Sequence, residues 1–188
     1  MIGPLVVDTH AQQAAHLPHF RVYLAGALRL APYLCRLGRA LTTLTGCEIV
    51  SGWHDEVVRL GLVVDPHDRV ALRAIYDANA RDLARSHAVV AITHEGNPRA
   101  TLCEIGAALA LGKPIAWVQG QDGRGGNSYD ASPLVRRIIA PAEHGHDASL
   151  VVELATVLAA IRSEQVERAR SRWCVPAGDA DCDGGEAA

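Results

Sequence analysis

Short apolar runs alternating with longer stretches of helical periodicity constrain this chain most. Phe20–Ala25 (FRVYLA) is a six-residue apolar run that ends at Gly26, and residues 28–45 then carry apolar positions at helical spacing up to Gly46. Cys47–Ser51 reads as a second strand, Pro66 ends a loop, and His67–Ser86 has a helical pattern. Ala88–Thr93 (AVVAIT) is apolar at every position but the last, as expected of a strand covered on both faces. Thr101–Leu111 is a third helix closed by Gly112, a residue suited to the left-handed position after a helix. Pro114–Val118 is a fourth strand. Residues 133–139 read as a short helix, Ile138–Pro141 as a fifth strand, and 149–172 as a long last helix.

Strands that alternate with helices need crossover connections, and such connections build parallel sheets with helices on both faces. The expectation is a single doubly wound α/β domain with a flavodoxin-like sheet, spanning residues 20–173. Residues 1–19 form an N-terminal extension. In it His10, His16 and His19 lack the rest of a metal site. Residues 174–188 form an acidic tail expected to be disordered. At 49% hydrophobic residues the chain has enough apolar surface for a core.

Charge and cysteines narrow the class further. The whole chain carries 18 basic and 21 acidic residues; four of the acids lie in 178–188, which leaves 17 against 18 and a body at +1. That balance suits neither a nucleic-acid binder nor an acidic solvating chain. No apolar run approaches the roughly 18 residues of a membrane span, and no Lys or Arg precedes Arg21, so a membrane or secretory role is not expected. Five cysteines without a CxxC pair argue against a zinc ribbon or a disulfide framework. The expectation is a cytoplasmic protein with no metal and no cofactor.

In a doubly wound sheet, ligands bind beyond the carboxyl ends of the strands. Those ends supply the binding candidates Gly26, Arg29, Trp53, Thr93, His94, Asn97, Arg99 and Thr101, with the glycine-rich segment 119–132. Trp53 either stacks on a base or packs under its loop. Arg29, Arg99 and the amides of 119–128 either hold a phosphate or belong to the solvated surface. His94 and His54 read as exposed loop histidines before acid/base groups, and Cys103 as a small buried packing residue before a nucleophile. No GxGxxG follows the first strand, and there is no GxxxxGK[ST] and no GxSxG. Dinucleotide, P-loop and hydrolase-elbow chemistries lose ground, and a flavodoxin-like redox protein is a minor alternative.

Glu104 carries the strongest chemical expectation. Thr101-Leu-Cys-Glu104 has the form of a capping box, with Thr101 as N-cap and Glu104 bonded back to its amide. Alternatively the carboxylate faces the cleft from the first helical turn, where the macrodipole keeps it ionised and nucleophilic. On the preceding helix Leu72, Ile75, Tyr76, Asn79 and Leu83 share one face, which places a polar Asn79 on a core-facing stripe. Asp82 lies at the edge of that stripe, and Asp77 points to solvent.

Four stretches carry a family resemblance: Tyr23-Leu-Ala-Gly26, Cys47–Trp53 (CEIVSGW), Asn79–Thr93 (NARDLARSHAVVAIT) and Thr101–Pro114 (TLCEIGAALALGKP). Over about residues 20–140 the chain resembles the nucleoside 2-deoxyribosyltransferase family, which includes nucleoside-monophosphate N-glycosidases. The resemblance implies a nucleoside or nucleotide substrate and a glutamate nucleophile, Glu104, attacking C1′ of the sugar to give a glycosyl-enzyme. A second base or water then takes the sugar, following the two-step logic of a retaining glycosidase. It also implies a tyrosine, Tyr23, that helps hold the nucleophile, and a homo-oligomer. The sequence departs from the family at Asn79, where an aspartate is usual; Asp82, one turn later, is the substitute acid. The noncatalytic alternative is a nucleotide-binding or sensing domain on the same scaffold.

Overall fold

The side-chain alternation of a strand sends successive residues to opposite faces, and in the computed structural model that alternation sorts the core into two layers. The structure describes residues 19–61, 68–93, 99–119, 132–139 and 148–173. The expected N-terminal extension (but for His19), the loop at 120–131, His94, Asn97 and the acidic tail lie outside them. The elements in chain order are β1 (Arg21–Gly26), α1 (Ala31–Thr45), β2 (Glu48–Ile49), α2 (Trp53–Leu60), α3 (Arg69–Arg85), β3 (Ala88–Ile92), α4 (Arg99–Ala110), β4 (Ile115–Val118), β5 (Val135–Ile139) and α5 (Ala148–Trp173). A 3-10 turn, Leu28–Leu30, joins β1 to α1.

All five strands are parallel, in the order β2-β1-β3-β4-β5. This is the flavodoxin-like doubly wound order, whose direction of winding reverses between β1 and β3. Tyr23 pairs with Val89 and Gly26 with Ile92, so the carboxyl ends of the two central strands are level. Every residue of β3 is buried. One face of the sheet, with Val22, Leu24, Val90, Ile92 and Val118, packs on Leu34, Leu37 and Leu41 of α1 and on Leu154, Leu158 and Ile161 of α5. The other face, with Tyr23, Ala25, Val89, Ala91 and Trp117, packs on Leu83 of α3 and on Ile105 and Ala108 of α4. Strand parity therefore assigns Tyr23 to the side that α3 and α4 cover.

Several local expectations are corrected. The second strand shrinks to Glu48–Ile49, because the chain after Gly52 turns into α2, a helix the sequence reading left out. Asp55 and Glu56 in its first turn, Arg59 in its last and Gly61 at φ 59° are the signals that mark it. Trp53 thus opens a helix rather than closing a strand. The segment read as a short helix at 133–139 is instead strand β5, beginning at Val135, and it gains ladder partners in β4 that a helix there would forfeit. His54, read as an exposed loop histidine, is 1% exposed. No helix among the described residues is long and apolar enough to cross a membrane.

Candidate functional site

The helix that carries Glu104 starts at Arg99, so Thr101 lies inside it and not at its N-cap. The capping box is therefore not formed. Glu104 sits in the second turn, beyond the reach of the helix N-terminus, and no acidic residue occupies the first turn. Its partners come from across the sheet. The Tyr23 hydroxyl donates to Glu104 Oε1 at 2.5 Å, and Asn79 Nδ2 donates to the same oxygen at 3.5 Å. Three elements converge here: the middle of β1, the last half of α3 and the second turn of α4.

Burial reverses the electrostatic expectation for Glu104. Loss of solvation pushes its pKa from the usual 4.5 up to about 7, and the Tyr23 hydrogen bond opposes part of that rise. The neighbouring carboxylate and its own burial drive Tyr23 the other way from ionisation, well above a tyrosine's ordinary 10.0. Tyr23 is thus a permanent donor, and Glu104 changes charge near neutral pH.

A cleft of about 600 Å³ opens over this pair. Gly26 and Trp53 line one side of it, Leu72, Ile75, Tyr76 and Asn79 another, and Cys103 and Glu104 a third. The apolar stripe of α3 thus faces the cleft; of its residues Leu83 alone is buried, and Tyr76 is exposed. Cys103 is exposed rather than packed in the core. A Cβ at Gly26 would lie 2.9 Å from Leu34 Cδ1, so a larger residue there would force that leucine to shift. Trp53 Nε1 and Asn79 Oδ1, both on residues of the cleft wall, are buried without a hydrogen-bond partner.

The other candidates are placed elsewhere. Asp82, expected as a substitute acid, is not among the lining residues; its carboxylate pairs with Arg85 at 3.1 Å and accepts from Gly52 N at 3.4 Å. Thr93 Oγ1 accepts from Trp117 Nε1 at 2.8 Å and is occupied by that structural bond. Thr101 is buried and outside the wall, and Arg29 and Arg99 are exposed and also outside it. Asp77 and Arg73, by contrast, do line the cleft, paired at 3.0 Å. Sequence reasoning sent Asp77 to solvent, and its side chain is 51% exposed while also lining the cleft. Its i, i+4 spacing to Arg73 was visible in the sequence.

No protein-family model matches the chain, and no curated protein matches it. Among solved structures it is similar to a 2-deoxyribosyltransferase of Bacillus psychrosaccharolyticus, with 16% identity and a TM-score of 0.46, covering 70% of this chain and 95% of that one. It is also similar to a CMP N-glycosidase of Clostridium botulinum, with 15% identity and a TM-score of 0.44, covering 71% and 96%. At that distance the functional reading rests on the geometry of the cleft.

Proposed function

We propose that this chain cleaves or transfers at the N-glycosidic bond of a nucleoside or nucleoside monophosphate, with Glu104 as nucleophile. One observation carries the reading: a carboxylate on the wall of an open cleft, gripped through a single oxygen by a tyrosine that keeps its proton. The hydrogen bonds from Tyr23 and Asn79 both fall on Oε1, which fixes the carboxylate while Oε2 is left for bond formation. The ionised carboxylate attacks C1′; the C1′–N bond breaks, its electron pair leaves with the base, and an ester joins Oε2 to the sugar. The oxocarbenium-like transition state is stabilised by the same negative charge. Water or a second base then opens the ester and frees Glu104.

The cleft wall suits such a ligand. Trp53 and Tyr76 offer aromatic faces to a base, and the two orphaned polar atoms of Trp53 and Asn79 are of the kind a ligand satisfies on binding. Among the described residues the carboxylic acids lining the cleft are Glu104 and Asp77, and Asp77 is paired with Arg73. With that acid paired, the departing base takes its proton from solvent in this reading, or else the site binds without turnover. That second reading, a noncatalytic nucleotide-binding domain, is favoured by Asn79 alone.

The test is to incubate the full chain with deoxynucleosides and 5′-monophosphates and follow free base by chromatography. Release of base is expected, with Glu104→Gln lowering the rate by about three orders of magnitude or more. If no base is released and Glu104→Gln leaves ligand affinity unchanged, the reading fails. The cleft is open and its lining mostly apolar, with Leu28 and Tyr76 exposed on it. A second copy of the chain covers it in this reading. Light scattering should then give a multiple of 20.0 kDa, and a single-chain mass would remove the oligomer while leaving the role of Glu104 untouched.

A further inference from the structure

A second group of reactive side chains lies outside the cleft, between α1 and α2. Cys35 Sγ comes from α1, and His54 Nδ1 and the Asp55 carboxylate from the first turn of α2. The three ligand atoms lie within 4.8 Å of one another. The sulfur is 3.5 Å from Nδ1, and Nδ1 is 3.7 Å from Asp55 Oδ2. Cys35 and His54 are buried, whereas the Asp55 side chain is 63% exposed and opens the group to solvent.

The other ring nitrogen of His54 is fixed from behind. Nε2 lies 3.2 Å from Ser51 Oγ, and that oxygen also accepts from Leu24 N at 2.9 Å. In the tautomer in which Nε2–H donates to Oγ, the imidazole lone pair lies on Nδ1, the nitrogen nearest the sulfur and the carboxylate. Such a partner on the far nitrogen is how metal-binding histidines are oriented. A tetrahedral zinc ion, with Zn–S of about 2.3 Å and Zn–N and Zn–O of about 2.0–2.2 Å, spaces its sulfur and nitrogen ligands by about 3.6 Å and nitrogen and oxygen by about 3.4 Å. The observed spacings match those to within a few tenths of an ångström.

We propose that Cys35, His54 and Asp55 form a binding site for a thiophilic divalent cation, Zn²⁺, that staples α1 to α2. The thiol and imidazole select against Mg²⁺ and Ca²⁺, which take oxygen ligands. On binding, the cation takes the place of the thiol proton, which leaves to water, and a water molecule completes the fourth position. The pair is not built as a nucleophile: burial holds the Cys35 thiol up at about 11 and keeps the His54 imidazole below its ordinary value. Since Trp53 precedes His54 and lines the cleft, the staple also fixes one wall of the site described above.

The experiment titrates Co²⁺, and then Zn²⁺ in competition, into the chelator-treated full chain. One equivalent of Co²⁺ is expected to give the visible bands of a tetrahedral ion and a thiolate-to-cobalt absorption, both displaced by Zn²⁺. Cys35→Ser should remove the thiolate absorption, and Asp55→Asn, at a position whose side chain is 63% exposed, should weaken Zn²⁺ binding at least about tenfold. Cys103→Ser should bind as the parent does. Absence of the bands overturns the proposal. So does a thiolate absorption that survives Cys35→Ser, or unchanged Zn²⁺ affinity in Asp55→Asn.

Discussion

Glu104 owes its chemistry to three neighbours at once: the apolar wall that desolvates it, the Tyr23 hydroxyl that favours its charge and the Asn79 amide that reaches the same oxygen. As a nucleophile it works only when ionised, so kcat/KM for base release should rise with pH through about 7. Tyr23→Phe keeps the ring and deletes a hydrogen bond that stabilises the anion. Glu104 should then titrate higher, moving the rising limb of the profile to higher pH. Hydrogen bonds to charged groups contribute about 1.5–3 kcal/mol, so activity at neutral pH should fall roughly tenfold to a hundredfold. An unmoved limb would show that the hydroxyl does not tune the carboxylate. The identity of Glu104 as a candidate was legible from its segment, EIGAALALGKP. Its raised pKa was not, because desolvation depends on what packs over the side chain.

At the level of elements, α5 shows a pattern read locally and resolved globally. Leu150, Leu154, Leu158 and Ile161 recur at helical spacing, which suits either a sheet-covering helix or a subunit interface. All four are buried within this chain, against the sheet face that also receives α1. Leu158→Ala should therefore cost about 2–5 kcal/mol, measured by urea unfolding of the parent and the variant. A cost under about 1 kcal/mol would mean the helix is not seated on the sheet. The elements that sequence reading missed or misplaced are the short ones: α2 was left out, and the fifth strand, expected at Ile138–Pro141, runs over Val135–Ile139. Helix α2 has only eight residues, two turns, so the helical spacing of Trp53, Val57 and Leu60 repeats too briefly to stand out, and β5 begins with Val-Arg-Arg, which has no strand alternation of its own. Both are fixed by neighbours: α2 by α1, and β5 by the open edge of β4.

For the whole molecule, the buried carboxyl makes a statement about stability. Folding raises the pKa of Glu104 from its usual 4.5 to about 7, so the folded state holds a proton that the unfolded chain has already released between those values. Its contribution to stability is full below about pH 4.5 and is lost as pH rises through about 7, amounting to on the order of 3 kcal/mol. Glu104→Gln has no proton to lose. The stability difference between parent and variant should thus shift in the variant's favour across that window, as read by denaturant unfolding at several pH values. A difference that stays flat would mean that Glu104 is not desolvated in the fold.

Residue order alone determined the doubly wound architecture. An alternation of buried strands and covering helices admits few topologies once crossovers must be right-handed. It also determined which carboxylate belongs to the EIGAALALGKP helix and which tyrosine to the first strand. Only the tertiary structure decided that the two meet. Strand parity turned Tyr23 toward α4, the helix began two residues before Thr101, and the capping reading gave way to a bond across 81 positions of sequence. The tertiary structure also set the Asp82 carboxylate against the Gly52 amide, outside the cleft wall, and placed Asp77 along the cleft. Local pattern encodes which face of an element is apolar. Hydrogen-bond partners and desolvation are set by what the rest of the chain places against that face, and no window of sequence contains that information.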